Sequence, residues 1–283
     1  MSALVAVRFV HFAMLMMVFG ACLFRPFMLT HPAQKGRLRN LLDPLVCLMA
    51  GLALISAVGW LLLVAQNMGG ALDMDVMRKV IGETFFGKVW SLHLMLCIAL
   101  LVCLRVPGER MAVIARPISA LALATLAPVG HGAMLDGLAG QLLVVNQMIH
   151  LLCAGAWLGA LMVLMFLLAK PNGQDLQALM LRFSGVGLML VIGLLLTGLI
   201  NVRVLTGSFW PAPGQSAFAS VLAVKAALVA CMLGFAWHHR ASLHKGPMNL
   251  ASVKRTVLLE WACGIAALLA VSLLGTLAPV PLS

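Results

Sequence analysis

Charged residues are scarce in this chain, and their scarcity excludes most soluble folds. Only 10% of the 283 residues are charged, whereas 63% are hydrophobic. A soluble domain of this length needs far more polar surface, and long apolar runs with few charges are typical of transmembrane helices. The sequence therefore predicts an all-α, polytopic membrane protein that forms a single integral membrane domain over residues 1–283.

Several functional motifs are missing as well. The seven cysteines form no CxxC or CxC pair, which disfavours a disulfide framework or a zinc site. The sequence contains no P-loop pattern, no phosphorylation-type Asp motif and no Ser/His/Asp arrangement that the topology would assemble. Clustered carboxylates, which hard cations prefer, are also missing. We therefore predict that the protein is not an enzyme and that any transport is passive, ion-coupled or driven by a partner.

Eight apolar segments are long enough to cross a bilayer, which takes about 20 helical residues. The predicted helices cover residues 3–28, 41–67, 84–106, 114–132, 143–169, 181–206, 216–240 and 253–279.

The basic residues that give the net charge of +11 are concentrated in alternate connections between these helices. Basic residues come after the first, third, fifth and seventh helices: Lys35, Arg37, Arg39, Arg105, Arg110, Arg116, Lys170, Arg182, Arg240, Lys245, Lys254 and Arg255. The opposite connections carry only Arg78 and Lys79. This alternation obeys the positive-inside rule, so it predicts that both termini lie outside the cytoplasm and that nucleic acid is not a partner.

Two histidines occupy matching frames inside predicted helices. They are His11 in RFVHFAMLMMVFGA and His150 in MIHLLCAGAWLGA, and a Gly-Ala pair follows each after nine residues, beginning at Gly20 and Gly159. An ionisable residue within the membrane is a functional-site hypothesis by default. The matched frames suggest one site shared by two halves of the protein.

A shift of 139 residues superimposes the first two helices on the fifth and sixth. One interpretation is a 4+4 parallel pseudo-repeat, with half-repeats at about residues 1–135 and 140–283 and an axis along the membrane normal. Chance similarity in a chain rich in Leu, Ala and Gly is the alternative.

Polar side chains from several helices are expected in the outer half of the membrane. They are His11, Glu83, His93, His131, His150, Asn201 and Lys225. Sulfur lies beside three of the histidines at helical spacing: Met14 follows His11, Met134 follows His131, and Cys97 follows His93. Imidazole with thioether or thiol is a ligand set that suits copper. The alternative is that the histidines are hydrogen-bonding packing residues and that the methionines fill gaps.

The residues near the predicted cytoplasmic side give weaker evidence for a functional site. His238, His239 and His244 are expected to form a solvated face, and Glu260 is expected to pair with Lys254, Arg255 or a neighbouring helix.

The chain resembles the CopD family of bacterial copper-resistance and copper-uptake membrane proteins. The resemblance lies in RFVHFAMLMMVFGA, VGHGAM, IHLLCAGAWLGALMVL, RFSGVGLMLVIGLLLTGLIN, VLAVKAAL and LEWACGIAALLAVSLLGTL, which keep their order over nearly the whole chain. It implies an eight-helix inner-membrane protein that moves copper beside, or fused to, a periplasmic copper-binding protein called CopC. The matched positions are His11, His131, His150, Trp157, Asn201, Lys225 and Glu260. Since no periplasmic domain is fused here, a separate CopC-like donor is expected.

The leading hypothesis is therefore a copper permease for uptake. The ion is expected to bind His11, His150 and His131, with Met14 or Met134. Trp157, Asn201, Lys225, His93 and Glu83 are candidates for supporting roles.

Two alternatives remain open. A b-type cytochrome would hold haem between His11 and His150, with Gly20 and Gly159 leaving room for the macrocycle. A non-transporting scaffold would dock CopC or another partner and use its histidines only for packing.

Overall fold

The structure, a computed structural model, describes residues 3–28, 32–70, 73–130, 135–169, 175–210, 212, 214, 216–243 and 249–277. These residues form nine α-helices and no strand, which confirms the all-α prediction. The helices are α1 (Ala3–Met28), α2 (Pro32–Gly69), α3 (Met74–Glu83), α4 (Phe85–Arg105), α5 (Glu109–Ala124), α6 (Gly137–Ala169), α7 (Leu176–Thr206), α8 (Ala217–Leu243) and α9 (Leu250–Leu274). A short 3-10 turn, Ala127–Val129, follows α5.

Eight of the helices are long and apolar enough to cross a membrane, as the hydrophobic runs predicted. The exception is α3, which falls where a connecting loop was expected. Its sequence MDVMRKVIGE places apolar residues on one face, and Asp73 caps it by accepting a hydrogen bond of 2.7 Å from the Val76 amide. Burial of Val80 fixes α3 against α4, so amphipathic spacing and an N-cap make a short helix out of a polar connection.

The centre of the bundle is the pair α1 and α6. Besides each other, α1 contacts α2, α5 and α9, and α6 contacts α5, α7 and α9. Gly20 and Gly159 face one another across this pair, and a Cβ added at Gly20 would come within 2.5 Å of the Gly159 Cα. Small residues let the backbones of membrane helices approach closely. The expectation that these two glycines leave room for a macrocycle is therefore wrong, because backbone fills the space.

Burial separates the interior helices from those that face lipid. Side chains of α1 and α6 are buried over most of their length, whereas α7 and α8 present large apolar residues such as Met189 and Trp237 to the outside. A polar residue on the buried face of α1 or α6 therefore lies inside the protein, where it must find partners among the neighbouring helices.

Candidate metal centre

His11 on α1 and His93 on α4 meet inside the bundle. Both side chains are fully buried, and their Nε2 atoms are 3.0 Å apart. Each histidine lies eight residues after the first residue of its helix, Ala3 or Phe85, so the two rings reach the same depth. The sequence singled out His11 but gave His93 only a supporting role.

The other nitrogen of the His11 ring is bound to α2. The Nδ1 atom is 2.9 Å from the Ala53 carbonyl oxygen and 3.2 Å from the Ser56 hydroxyl. The Ser56 hydroxyl donates to the carbonyl oxygen of Leu52 at 2.7 Å. A carbonyl only accepts, so the His11 proton is on Nδ1, and Nε2 presents a lone pair toward His93.

The same arrangement fixes His93. Its Nδ1 atom is 2.8 Å from the Thr125 hydroxyl, which donates to the Ala122 carbonyl oxygen at 2.7 Å. In the tautomer in which that hydroxyl proton goes to the Ala122 carbonyl, the Thr125 oxygen accepts from the His93 Nδ1–H and the His93 Nε2 carries a lone pair. Hydrogen bonds of this kind orient histidines that bind a metal through the opposite nitrogen.

The two Nε2 atoms are 3.0 Å apart. With the His93 proton on Nε2 this contact is a hydrogen bond, whereas with both ring protons on Nδ1 two lone pairs face each other and a cation between the nitrogens removes their repulsion. The Cys97 sulfur, one helical turn beyond His93, is 3.4 Å from the same Nε2. Two imidazoles and a thiol form a soft donor set that suits Cu(I).

The three donors lie in a line of contacts and do not yet surround a common point. Among the described residues, no three or more His, Cys, Asp or Glu side chains are arranged to hold a metal ion. Metal–imidazole bonds of about 2.0 Å in trigonal geometry would place the two nitrogens about 3.5 Å apart, so the rings would need to separate by roughly half an ångström.

Aromatic rings enclose the two histidines. Trp90 stacks on His93 with centroids 4.8 Å apart, and Phe86 stacks on the far face of Trp90 at 5.1 Å. Trp60 meets the His11 ring edge-on at 5.9 Å. The Arg8 guanidinium lies 4.8 Å over Trp60 and donates to the Gly275 carbonyl oxygen of the C-cap of α9 at 3.1 Å. This shell excludes water from the site and strengthens electrostatic interactions within it.

His150 belongs to a second polar cluster between α6, α7 and α8. Its Nδ1 atom is 2.9 Å from the Thr197 hydroxyl, which donates to the Gly193 carbonyl oxygen at 2.5 Å. The half-buried Lys225 lies within electrostatic reach of the ring. The contacts of His150 come from different helices than those of His11.

Amide side chains complete the second cluster. Asn146 donates to the Thr197 carbonyl oxygen at 3.0 Å and to the Asn201 side chain at 2.9 Å, and Asn201 donates to Gln147 at 2.7 Å. The predicted residue Asn201 therefore joins α7 to α6, as hydrogen-bonding residues between membrane helices do.

The remaining predicted site residues are dispersed. Met14 packs half-buried against the core, and Glu83 is exposed at the end of α3. His131 and Met134 lie outside the described residues. The haem arrangement is not supported at His11, because its Nε2 atom faces the His93 Nε2 at 3.0 Å and the His150 ring contacts other helices.

A third cluster lies nearer the basic connections. Glu260 is fully buried on α9 and accepts a hydrogen bond of 2.7 Å from the Trp157 indole of α6. The His239 ring is also buried, 3.8 Å from the second carboxylate oxygen. The expectation that His239 lies on a solvated face is thus wrong. Of the partners expected for Glu260, the structure shows the neighbouring helices, through Trp157 and His239, because its side chain points into the α6–α8–α9 junction.

Two family models match successive parts of the chain. The family model described as "Copper resistance protein D-like, N-terminal domain" matches residues 1–141, and the one described as "Copper resistance protein D" matches residues 177–274. The chain is 30% identical to "Inner membrane protein YebZ" of Escherichia coli (strain K12), over 97% of this chain and 98% of that protein. The chain belongs to the copper resistance protein D family.

Two further curated proteins are similar to this chain. The chain is 28% identical to "Copper resistance protein D" of Pseudomonas syringae pv. tomato, over 97% of this chain and 96% of that protein. It is 28% identical to "Copper transport protein CutJ" of Bacillus subtilis (strain 168), over 75% of this chain and 40% of that protein. No solved structure matches. The family and the eight apolar helices make this a multi-pass inner-membrane protein with a copper-related function.

Proposed function

We propose that this protein carries copper ions from the periplasm to the cytoplasm, and that His11, His93 and Cys97 form its outer Cu(I) station. The observation that carries the proposal is the approach of the buried His11 and His93 Nε2 atoms to 3.0 Å inside an aromatic shell, with the Cys97 sulfur beside them. Copper-named relatives along the chain support copper as the cation. Relative to the sequence hypothesis, the station keeps His11 and replaces His150 and His131 by His93 and Cys97.

The direction follows from the orientation that the basic connections favour. With both termini in the periplasm, the first residues of α1 and α4, Ala3 and Phe85, lie at the outer surface. Eight residues of helix place the station about 12 Å below that surface. A separate CopC-like periplasmic protein would deliver the ion, and the protein acts as a carrier and not as an enzyme.

The proposed station predicts which substitutions reduce copper binding and uptake. Purified protein and right-side-out membrane vesicles would be loaded with Cu(I), and bound copper and uptake would be measured. We expect His11→Ala, His93→Ala and Cys97→Ser each to lose one copper equivalent and most of the uptake, because each removes one donor. Cys103→Ser is the matched control on the same helix, and it should retain both.

His150→Ala separates this station from the one that the sequence suggested. It should keep the copper equivalent that His11→Ala loses, since its ring contacts other helices. Retention of copper by both His11→Ala and His93→Ala would contradict the proposal. Normal copper binding without uptake in the native protein would favour the scaffold alternative.

A further inference from the structure

Glu260 is a buried carboxylate with only one of its two oxygens hydrogen-bonded. The Oε1 atom accepts from Trp157, which fixes the plane of the carboxylate. The Oε2 atom is buried without a hydrogen-bond partner, and it is 3.8 Å from the His239 Nδ1. That nitrogen is also buried and has no hydrogen-bond partner. Buried polar atoms are nearly always bonded, so two orphaned atoms aimed at each other call for an explanation.

A direct hydrogen bond does not explain this pair. A distance of 3.8 Å from nitrogen to oxygen is beyond the range of a hydrogen bond. A metal cation with bonds of about 2.0 Å to each atom spans up to roughly 4 Å between them, so the gap suits an ion bound by both. Trp157 then acts as the outer hydrogen bond that orients a metal-binding carboxylate.

We propose that Glu260 and His239 form a second copper station, on the cytoplasmic side of the first, which receives the ion before release. This inference rests on the proposed function. Two protein ligands make a weak site, and weak successive sites allow an ion to leave as readily as it enters. His239 lies four residues before the end of α8, next to the basic connection that the orientation places in the cytoplasm.

A buried methionine lies near this pair, on the side away from the basic connection. Met232 is buried on α8, and its methyl carbon lies 3.1 Å from where a Cβ on Gly264 would be. Gly264 follows Glu260 by one helical turn on α9, and Met232 precedes His239 by two turns on α8. In the proposed orientation, Met232 therefore lies on the periplasmic side of the carboxylate–imidazole pair, and its thioether is the soft side chain of this junction.

The test compares copper stoichiometry and uptake in purified, reconstituted protein loaded with Cu(I). The native chain should bind two equivalents, and Glu260→Gln and His239→Ala should each bind one. Both variants should lose at least tenfold in uptake rate. Glu260→Gln keeps the shape of the side chain and an oxygen for Trp157, so it tests the charge without removing the packing. His238→Ala, the exposed neighbour of His239, is the matched control and should bind two equivalents.

The double variant His11→Ala/His93→Ala distinguishes the two proposals. If it retains one equivalent that Glu260→Gln then removes, the inner station exists whether or not the outer one is correctly assigned. If Glu260→Gln and His239→Ala both keep the native stoichiometry, the inner station is refuted while the outer one stands. Loss of pH-dependent uptake in Glu260→Gln with copper stoichiometry unchanged would mean that the pair binds a proton, and it would also overturn the proposal.

Discussion

The two halves of the chain build closely similar polar sites and complete them differently. In the first half, the His11 Nδ1 faces the Ser56 hydroxyl of the next spanning helix. In the second half, the His150 Nδ1 faces the Thr197 hydroxyl, again on the next spanning helix. Each hydroxyl also bonds carbonyl oxygens three and four residues earlier on its own helix. The local construction therefore repeats, in support of the proposed pseudo-repeat.

The third member of each site differs. His93 comes nine residues after Thr84, whose hydroxyl caps α4, and Lys225 comes nine residues after Ser216, whose hydroxyl caps α8. An ammonium group has three donors and no lone pair, so it can neutralise the free nitrogen of His150 but cannot bind a metal. The second half thus has a lysine where the first half has a second imidazole, so the proposed outer copper station would form in the first half alone.

The substitution that gives the first half the lysine of the second should change copper binding the most. We expect His93→Lys to weaken copper binding at the outer station by more than about 100-fold, because the loss of a direct ligand exceeds the 10–100-fold range of outer-sphere changes. Copper titration of the purified variant checks this. Lys225→Arg is the control, since it keeps a cation in the second half, and it should bind copper normally. Normal copper binding by His93→Lys would contradict the claim that the difference between His93 and Lys225 decides which half binds copper.

The reverse exchange should create a site. Lys225→His replaces the ammonium by an imidazole that can face His150, so the variant should bind one copper equivalent more than the native chain. Metal analysis after dialysis measures the gain. The gain should disappear in Lys225→His/His150→Ala. An unchanged stoichiometry would show that the two sites differ in more than this one residue.

The contact between the halves should be sensitive to one methyl group. Gly20→Ala places a Cβ against the Gly159 backbone, and overpacking of this kind costs about 1–3 kcal/mol. We expect a lower unfolding midpoint in detergent. Gly51→Ala, at a mid-helix glycine of α2 with open space around it, should leave the midpoint unchanged or raise it. Equal effects of the two substitutions would argue against a close α1–α6 contact.

The hydroxyl groups should give the smallest effect. Ser56→Ala leaves His11 bonded to the Ala53 carbonyl, so we expect copper affinity to fall by about tenfold, the lower end for an outer-sphere group. Thr197→Ala, the equivalent change in the second half, should not change copper affinity. Titration of both proteins, alongside their unfolding midpoints, separates an effect on the ligand from a general loss of stability. A larger loss in Thr197→Ala would place the station in the other half.

The sequence predicted the spans and the importance of His11, because long apolar runs and rare intramembrane histidines are local signals. It predicted the i, i+4 relation of His93 and Cys97 for the same reason. It did not reveal that His11 meets His93, because contacts between helices far apart in the chain leave no periodic pattern. Moreover, equivalent positions in a repeat occupy corresponding places in each half, so matching frames for His11 and His150 need not bring their rings together.

The same limit applies to the inner cluster. His238 and His239 are neighbours in a basic stretch, which reads as a solvated face. Successive helix residues point about 100° apart, since an α-helix has 3.6 residues per turn, so one ring of the pair faces outward while the other is buried beside Glu260. Only the packing of α8 against α9 decides which.

In the proposed orientation, the Arg8–Trp60 contact lies at the periplasmic end of α1 and bears on the kinetics of the proposed copper entry. A guanidinium fastened to the C-cap of α9 and lying on an indole presents a positive charge and a flat ring to anything that approaches His11 from the periplasm. A free cuprous ion would meet electrostatic repulsion there. A periplasmic protein that transfers the metal directly, and whose carboxylates form ion pairs with Arg8, would lower that barrier. Association, more than affinity, would then set how much metal enters the cell.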